Sequence, residues 1–106
     1  MITLTQANNS QSIEVQTGDI ISIRLDENPT TGYRWKLEPD NQGVLELTQS
    51  EFVQDASAGV GGGGQHIFTF KALKAGTVSL NLKNWREWEG DRAIIALFVA
   101  TVKVNG

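Results

Sequence analysis

The sequence contains no cysteine and only two prolines among its 106 residues. Without cysteine, a disulfide, a thiolate nucleophile and a thiolate metal site are all excluded, and folding requires no oxidising compartment. Lysine and arginine form no run, and the formal net charge is −3. Nucleic acid is therefore not an expected partner, because its binding needs a basic face. No apolar stretch is long enough to cross a membrane, so no membrane partner is expected either.

The remaining composition is that of one globular domain. Hydrophobic residues make up 40% of the chain, enough for a single core, and we expect one monomeric domain over residues 1–106 with no cofactor. The segment after Met1 has no signal-peptide pattern. We therefore expect a cytoplasmic protein if Met1 is the native start, and an exported one (periplasmic, lysosomal or secreted) if a leader was removed.

Apolar and polar residues alternate in a series of short segments, the pattern of half-buried strands. The clearest apolar series are Ile21, Ile23 and Leu25; Tyr33, Trp35 and Leu37; His66, Phe68 and Phe70; and Val78, Leu80 and Leu82. A last strand is predicted over Ala93–Val104, and no segment has a convincing helical pattern. Turns separate the segments, so we predict an all-β fold, an immunoglobulin-like antiparallel β-sandwich, with Trp35 in its core. A small barrel is the alternative.

Strand order places the unusual loops together. If each main strand from Ile20 onward runs antiparallel to the one before, every second connection emerges at the same end. The loops at Asn28–Gly32, Asp55–Gly64 and Trp85–Asp91 are such alternate connections, so they should cluster like the binding loops of an antibody domain. This prediction requires that Val44–Val53 does not contain two strands that reverse direction.

Each loop has its own character. The first carries Asn28, Pro29, Thr30, Thr31, Gly32 and Tyr33, in which the proline fixes its own φ and the glycine permits a positive φ. The second carries Gly59, Gly61, Gly62, Gly63 and Gly64, whose bare backbone a partner strand can approach. The third carries Arg86, Glu87 and Trp88, and Trp and Arg are the residues that dominate binding hot spots. Each loop also has a simpler interpretation. The first can be read as a plain turn, the second as a flexible linker, and the third as a core Trp85 followed by a merely exposed Trp88.

Together these motifs resemble the chagasin family, inhibitors of papain-like (cathepsin-type) cysteine peptidases. The Asn-Pro-Thr-Thr-Gly-aromatic motif is intact at Asn28–Tyr33, and Gly-x-Gly-Gly matches Gly59–Gly62, with Gly61–Gly64 as a second register. The family's Arg-Pro-Trp motif is present as Arg86-Glu87-Trp88, so that Glu87 replaces a proline.

The resemblance implies a mechanism in which three loops fill the peptidase cleft. The first loop would lie over the catalytic cysteine and histidine, with Thr31 closest to them. The glycine loop would pair through its backbone with one side of the cleft. Trp88, flanked by Arg86, would pack on the other side. The resemblance implies reversible, non-covalent inhibition, and no catalytic residue.

Two other functions fit parts of the sequence. An enzyme of the Ser-His-Asp type would have to use His66, the only histidine, but its alternation with Phe68 predicts a satisfied core or sheet-edge residue. Glu87, Glu89 and Asp91 lack the spacing of a calcium loop, so no metal site is expected. An adhesion or carbohydrate-binding module is the second alternative, because exposed Trp and Tyr can stack on sugars.

Overall fold

The computed structural model describes residues 2–28, 31–38, 43–54, 63–86, 88–89 and 94–106. The strands are β1 (Ile2–Thr5), β2 (Gln11–Gln16), β3 (Ile20–Glu27), β4 (Arg34–Leu37), β5 (Leu45–Gln54), β6 (Gly64–Ala72), β7 (Gly76–Trp85) and β8 (Ala96–Asn105), with a 3₁₀ turn at Gln6–Asn8. They form two four-stranded sheets, ordered β1-β3-β6-β5 and β2-β8-β7-β4. Within the described ranges, no helix has the length and apolar character needed to span a bilayer.

The alternating apolar residues of the two sheets face each other and form the core. The largest fully buried side chains are Phe70, Phe98, Ile21, Ile23, Leu25, Leu82 and Val102. Trp35 is buried between the sheets at 5% exposure, as predicted, and its indole Nε1–H donates to the Asp26 carbonyl at 2.8 Å. The predicted immunoglobulin-like sandwich is confirmed, and its layers are held together by burial of apolar area together with the hydrogen bond between Trp35 and Asp26.

The first two strands pair in parallel, which the alternation did not predict. β1 lies parallel to β3, and β2 lies parallel to β8 in the other sheet. The chain changes sheets at the 3₁₀ turn, where the Thr5 N–H donates to Asn8 Oδ1 at 2.9 Å. The other four pairings, β3–β6, β5–β6, β7–β8 and β4–β7, are antiparallel.

β5 is one strand, which preserves the predicted loop order. It pairs with β6 along its length, with a β-bulge between Leu47 and Gln49. The connections β3–β4, β5–β6 and β7–β8 therefore leave the sandwich at one end, which we call the loop end. The prediction for the last strand was too long, because β8 begins at Ala96. Ile94 and Ile95 precede it, and Ala93 is outside the described residues.

Candidate functional site

The first loop is closed by hydrogen bonds to one carbonyl. The Asn28 carbonyl accepts from the Thr31 N–H at 3.2 Å and from Thr31 Oγ1–H at 2.8 Å. The Tyr33 N–H donates to the same hydroxyl oxygen at 3.4 Å. Gly32 has a φ of +83°, a conformation that a side chain resists. The backbone at the end of this loop is therefore fixed before any partner arrives.

The glycines at the end of the second loop let the chain enter β6 directly beside the first loop. Gly64 pairs with Glu27 on one side and with Gln54 on the other, and a Cβ at this position would overlap the Val53 carbonyl oxygen. A Cβ on Gly63 would lie 3.2 Å from the Glu27 carbonyl oxygen. Glycine is required here because backbones approach closely on both sides.

Trp88 presents a large apolar surface at the loop end. Its side chain is 72% exposed, which excludes a core role, and its ring lies against Gly32, where an added Cβ would be 2.5 Å from Cη2. The third loop thus touches the first through a tryptophan and a glycine, and the absence of a side chain at Gly32 allows the ring to lie there.

Arg86 connects the same two loops through polar contacts. Its Nε–H donates to the Thr31 carbonyl at 3.2 Å, and its guanidinium lies 4.4 Å from the centroid of the Tyr33 ring. A terminal N–H reaches Glu89 Oε1 at 3.2 Å. Cation–π contact and hydrogen bonding together hold the arginine in one position. Arg86 therefore braces the first loop against the third.

The structure brings the described members of the predicted site to one end of the sandwich. They are Asn28, Thr31, Gly32, Tyr33, Gly63, Gly64, Arg86 and Trp88. The other predicted members lie outside the described residues, namely Pro29, Thr30, Gly59, Gly61, Gly62 and Glu87. Within the described part of the chain, no group of three histidine, aspartate or glutamate side chains could hold a metal ion.

A buried polar cluster under the loop end was missed by the sequence reasoning. The Glu27 carboxylate, with 3% of its side chain exposed, lies 3.2 Å from His66 Nδ1 and accepts from the Trp35 N–H at 2.7 Å. His66 Nε2 lies 2.7 Å from Ser50 Oγ, and the imidazole stacks on Phe68 at 4.2 Å. Glu27 thus joins the two strands that flank the first loop, because it ends β3 and binds the backbone of β4.

His66, predicted to be a satisfied core or sheet-edge residue, is hydrogen-bonded through both ring nitrogens, but it lies on β6, an internal strand of its sheet. A carboxylate only accepts, so with an ionised Glu27 the Nδ1 atom carries the proton, and a neutral ring then accepts from the Ser50 hydroxyl through Nε2. The order of serine, histidine and carboxylate is that of a hydrolase triad. Ser50, however, lies within the edge strand β5, outside the loop end where the predicted site residues gather.

The pKa of Glu27 reflects two opposing effects. Burial raises the pKa of this carboxyl, but the hydrogen bonds from His66 and from the Trp35 N–H, with the charges of His66 and Arg34, hold it below its ordinary value of 4.5. A carboxyl whose pKa is lowered by folding stabilises the fold at any pH above its unfolded pKa. That stabilisation is lost as the pH falls through the folded pKa.

We expect Glu27→Gln to lower the free energy of unfolding by about 1–2 kcal/mol near neutral pH, because charge-assisted hydrogen bonds are replaced by neutral ones. The difference from wild type should be present above about pH 4.5 and shrink as the pH falls below it. Urea unfolding at a series of pH values measures it. Glu46→Gln, at an exposed site on β5, is the matched control. A Glu27→Gln difference that grows as the pH falls below about 4.5 would contradict the assignment.

Comparison with known proteins yields one consistent set of relatives. The family model "Chagasin family peptidase inhibitor I42" matches residues 14–102. Chagasin of Trypanosoma cruzi is 30% identical over 107 residues, 96% of each chain. The cysteine protease inhibitor EhICP2 of Entamoeba histolytica superposes with a TM-score of 0.84 at 24% identity, over 98% of this chain and 94% of its own. PbICP-C, solved in complex with falcipain-2, has a TM-score of 0.67 at 20% identity, over 99% and 100%.

Proposed function

The chain belongs to the chagasin family of peptidase inhibitors, and from this premise we propose that it inhibits papain-like cysteine peptidases by filling their active-site cleft with its three adjacent loops. The observation that carries the proposal is the contact between the first and third loops, in which the Trp88 ring lies against Gly32 and Arg86 donates to the Thr31 carbonyl. It makes the first and third loops one continuous surface.

The physical properties of the loop end suit insertion into a peptidase cleft. Standard interfaces bury roughly 800 Å² per partner, which three neighbouring loops can supply. Asn28 and Thr31 of the first loop are already hydrogen-bonded to each other, so little conformational entropy is lost at these residues on binding. Trp88 offers the large exposed ring that hot spots require. Thr31 lies between these features and is exposed, in the position proposed to face the catalytic cysteine and histidine.

The loop end is proposed to bind without a covalent bond. The described residues of the site supply backbone amides, hydroxyls, an aromatic surface and an arginine, and cysteine is absent from the whole chain. The complex would therefore dissociate to release an intact inhibitor and an active peptidase.

Titrating papain with the chain tests the proposal. We expect a dose-dependent loss of hydrolysis of a fluorogenic peptide, reversal of the loss on dilution, and an unchanged mass of the recovered inhibitor. Full activity of papain and of several related peptidases at large molar excess would overturn the proposal. Glycan binding in the same preparation would then favour a carbohydrate-binding module, with Trp88 stacking on a sugar.

A further inference from the structure

The outer face of the β2-β8-β7-β4 sheet carries an unusual block of side chains beside the loop end. Two rows cross the sheet there, because Arg34 pairs with Trp85 and Lys36 with Lys83, while Lys83 also pairs with Leu97. The Ile95 N–H donates to the Asn84 carbonyl at 2.9 Å, which brings this residue beside Trp85. We call these six residues the flank patch: Arg34, Lys36, Lys83, Trp85, Ile95 and Leu97.

The flank patch is apolar where the outer face of a sandwich is normally polar. Ile95 is 58% exposed and Leu97 is 59% exposed, and both lie before the part of β8 that pairs with β2, which begins at Ala100. Farther from the loop end, the outward residues of β7 and β8 are mainly polar, namely Asn81, Ser79, Thr77, Thr101 and Lys103. On this face of the sheet, the most exposed apolar side chains therefore lie next to the loops, where a partner would cover them.

The same patch gathers positive charge on a chain whose net charge is −3. Lys83 Nζ lies 3.5 Å from the centroid of the Trp85 ring, and Lys36 Nζ lies 5.4 Å from it. Glu38 lies 3.1 Å from Lys83 and the charge of Arg34 acts on Glu27, so among the described residues the patch brings three cations near these two carboxylates. A patch of this kind attracts a partner surface that is acidic and partly apolar. It disfavours a second copy of the chain, since a symmetric contact would bring like charges together.

The flank patch is continuous with the loop end. Arg34 directly follows Tyr33, and Trp85 directly precedes Arg86, which binds the first loop. A peptidase that accepts the loop end in its cleft would therefore place one rim of that cleft against this face of the sheet. We propose that the flank patch is a second contact surface for the same peptidase, one that selects enzymes with an acidic and apolar surface beside the cleft. This inference rests on the proposed function.

Two substitutions and two matched controls test the proposal. Lys36→Glu and Leu97→Ser alter the patch, while Lys74→Glu and Leu73→Ser make the same changes in the β6–β7 turn at the opposite end, where Leu73 is 42% exposed. Association rates and inhibition constants are measured against one acidic and one basic papain-like peptidase, at several concentrations of NaCl.

With the acidic peptidase we expect Lys36→Glu to slow association about 5- to 10-fold at low salt, and the difference to vanish near ~0.5 M salt. Leu97→Ser should raise the inhibition constant about 3- to 10-fold, mainly through faster dissociation and at every salt concentration. The two controls should match wild type. With the basic peptidase, Lys36→Glu should not slow association.

Three other outcomes overturn the inference, and they separate it from the proposed function. If the wild type and all four variants inhibit both peptidases equally, the flank patch is not a contact surface, whereas the loop end remains the proposed binding surface. Failure of the wild type to inhibit either peptidase would remove both proposals. The wild type could also prove to be a dimer in sedimentation equilibrium. If Leu97→Ser is then a monomer and the inhibition constants are unchanged, the patch is assigned to self-association instead.

Discussion

Replacing Trp88 with alanine is expected to weaken inhibition of papain about 30-fold or more, which corresponds to at least ~2 kcal/mol of binding free energy. The ring is 72% exposed and contacts Gly32 rather than the core, so the free energy of unfolding should change by less than about 1 kcal/mol. Inhibition constants and urea unfolding of the same preparations measure the two effects.

Leu73→Ala is the control for Trp88→Ala, because it truncates an exposed apolar side chain at the end of the sandwich away from the loops. It should leave inhibition unchanged. If Trp88→Ala inhibits papain as well as the wild type does, Trp88 is not part of the peptidase-binding surface. If it unfolds the chain, the ring has a structural role that its exposure does not indicate.

Gly32→Ala is expected to reduce both inhibition and stability. The residue has a φ of +83°, which costs a non-glycine residue about 1–3 kcal/mol. The added Cβ would also lie 2.5 Å from Trp88 Cη2, so the ring must move out of its position. We expect inhibition to weaken about 10-fold or more as the tryptophan is displaced.

Gly18→Ala separates these two effects. Gly18 has a φ of +95° and no atom within 4 Å of an added Cβ, and it lies in the turn before β3, at the end opposite the loops. This variant should lose a similar amount of stability and retain full inhibition. Adding Gly32→Ala to Trp88→Ala should weaken inhibition far less than adding it to the wild type. Equal effects in both backgrounds would mean that the two residues act independently.

The position of the three loops at one end of the sandwich could be predicted from sequence, because in a series of antiparallel strands the direction of each strand follows from its place in the series. Ile21, Ile23 and Leu25 define one buried face, and each later strand repeats the same alternation. The uncertain step was Val44–Val53, which could have formed two strands. It forms a single strand with a bulge at Leu47–Gln49. The alternation of strand directions is therefore preserved, and the three connections leave the sandwich at the same end.

The cluster around Glu27 could not be predicted, since its partners are distant in the chain. Asp26-Glu27-Asn28 reads as the polar start of a loop, yet Glu27 faces inward and meets His66, 39 residues away. The parallel pairings of β1 and β2 were missed for the same reason, because alternation defines a face but not a neighbour. Knowing which residues β3 and β6 pair would have revealed the contact.

The environment of Trp85 also depended on tertiary structure. As an alternative, the sequence allowed this residue to be core, but its ring lies half-buried on the outer face beneath Lys83. Its neighbour Arg86 was expected to flank Trp88 against the peptidase. The structure adds a hydrogen bond from the arginine to the Thr31 carbonyl, which was not predicted. Both placements follow from the pairing of β4 with β7, which sequence alternation alone does not determine.

Hydrogen exchange of the chain with and without papain tests most directly whether the loop end is one binding surface. We expect the backbone amides of Thr31, Gly64 and Trp88 to gain protection together, while those of the β6–β7 turn at residues 73–75 exchange as in the free protein. Protection confined to one of the three loops, or appearing at the turn instead, would contradict this expectation.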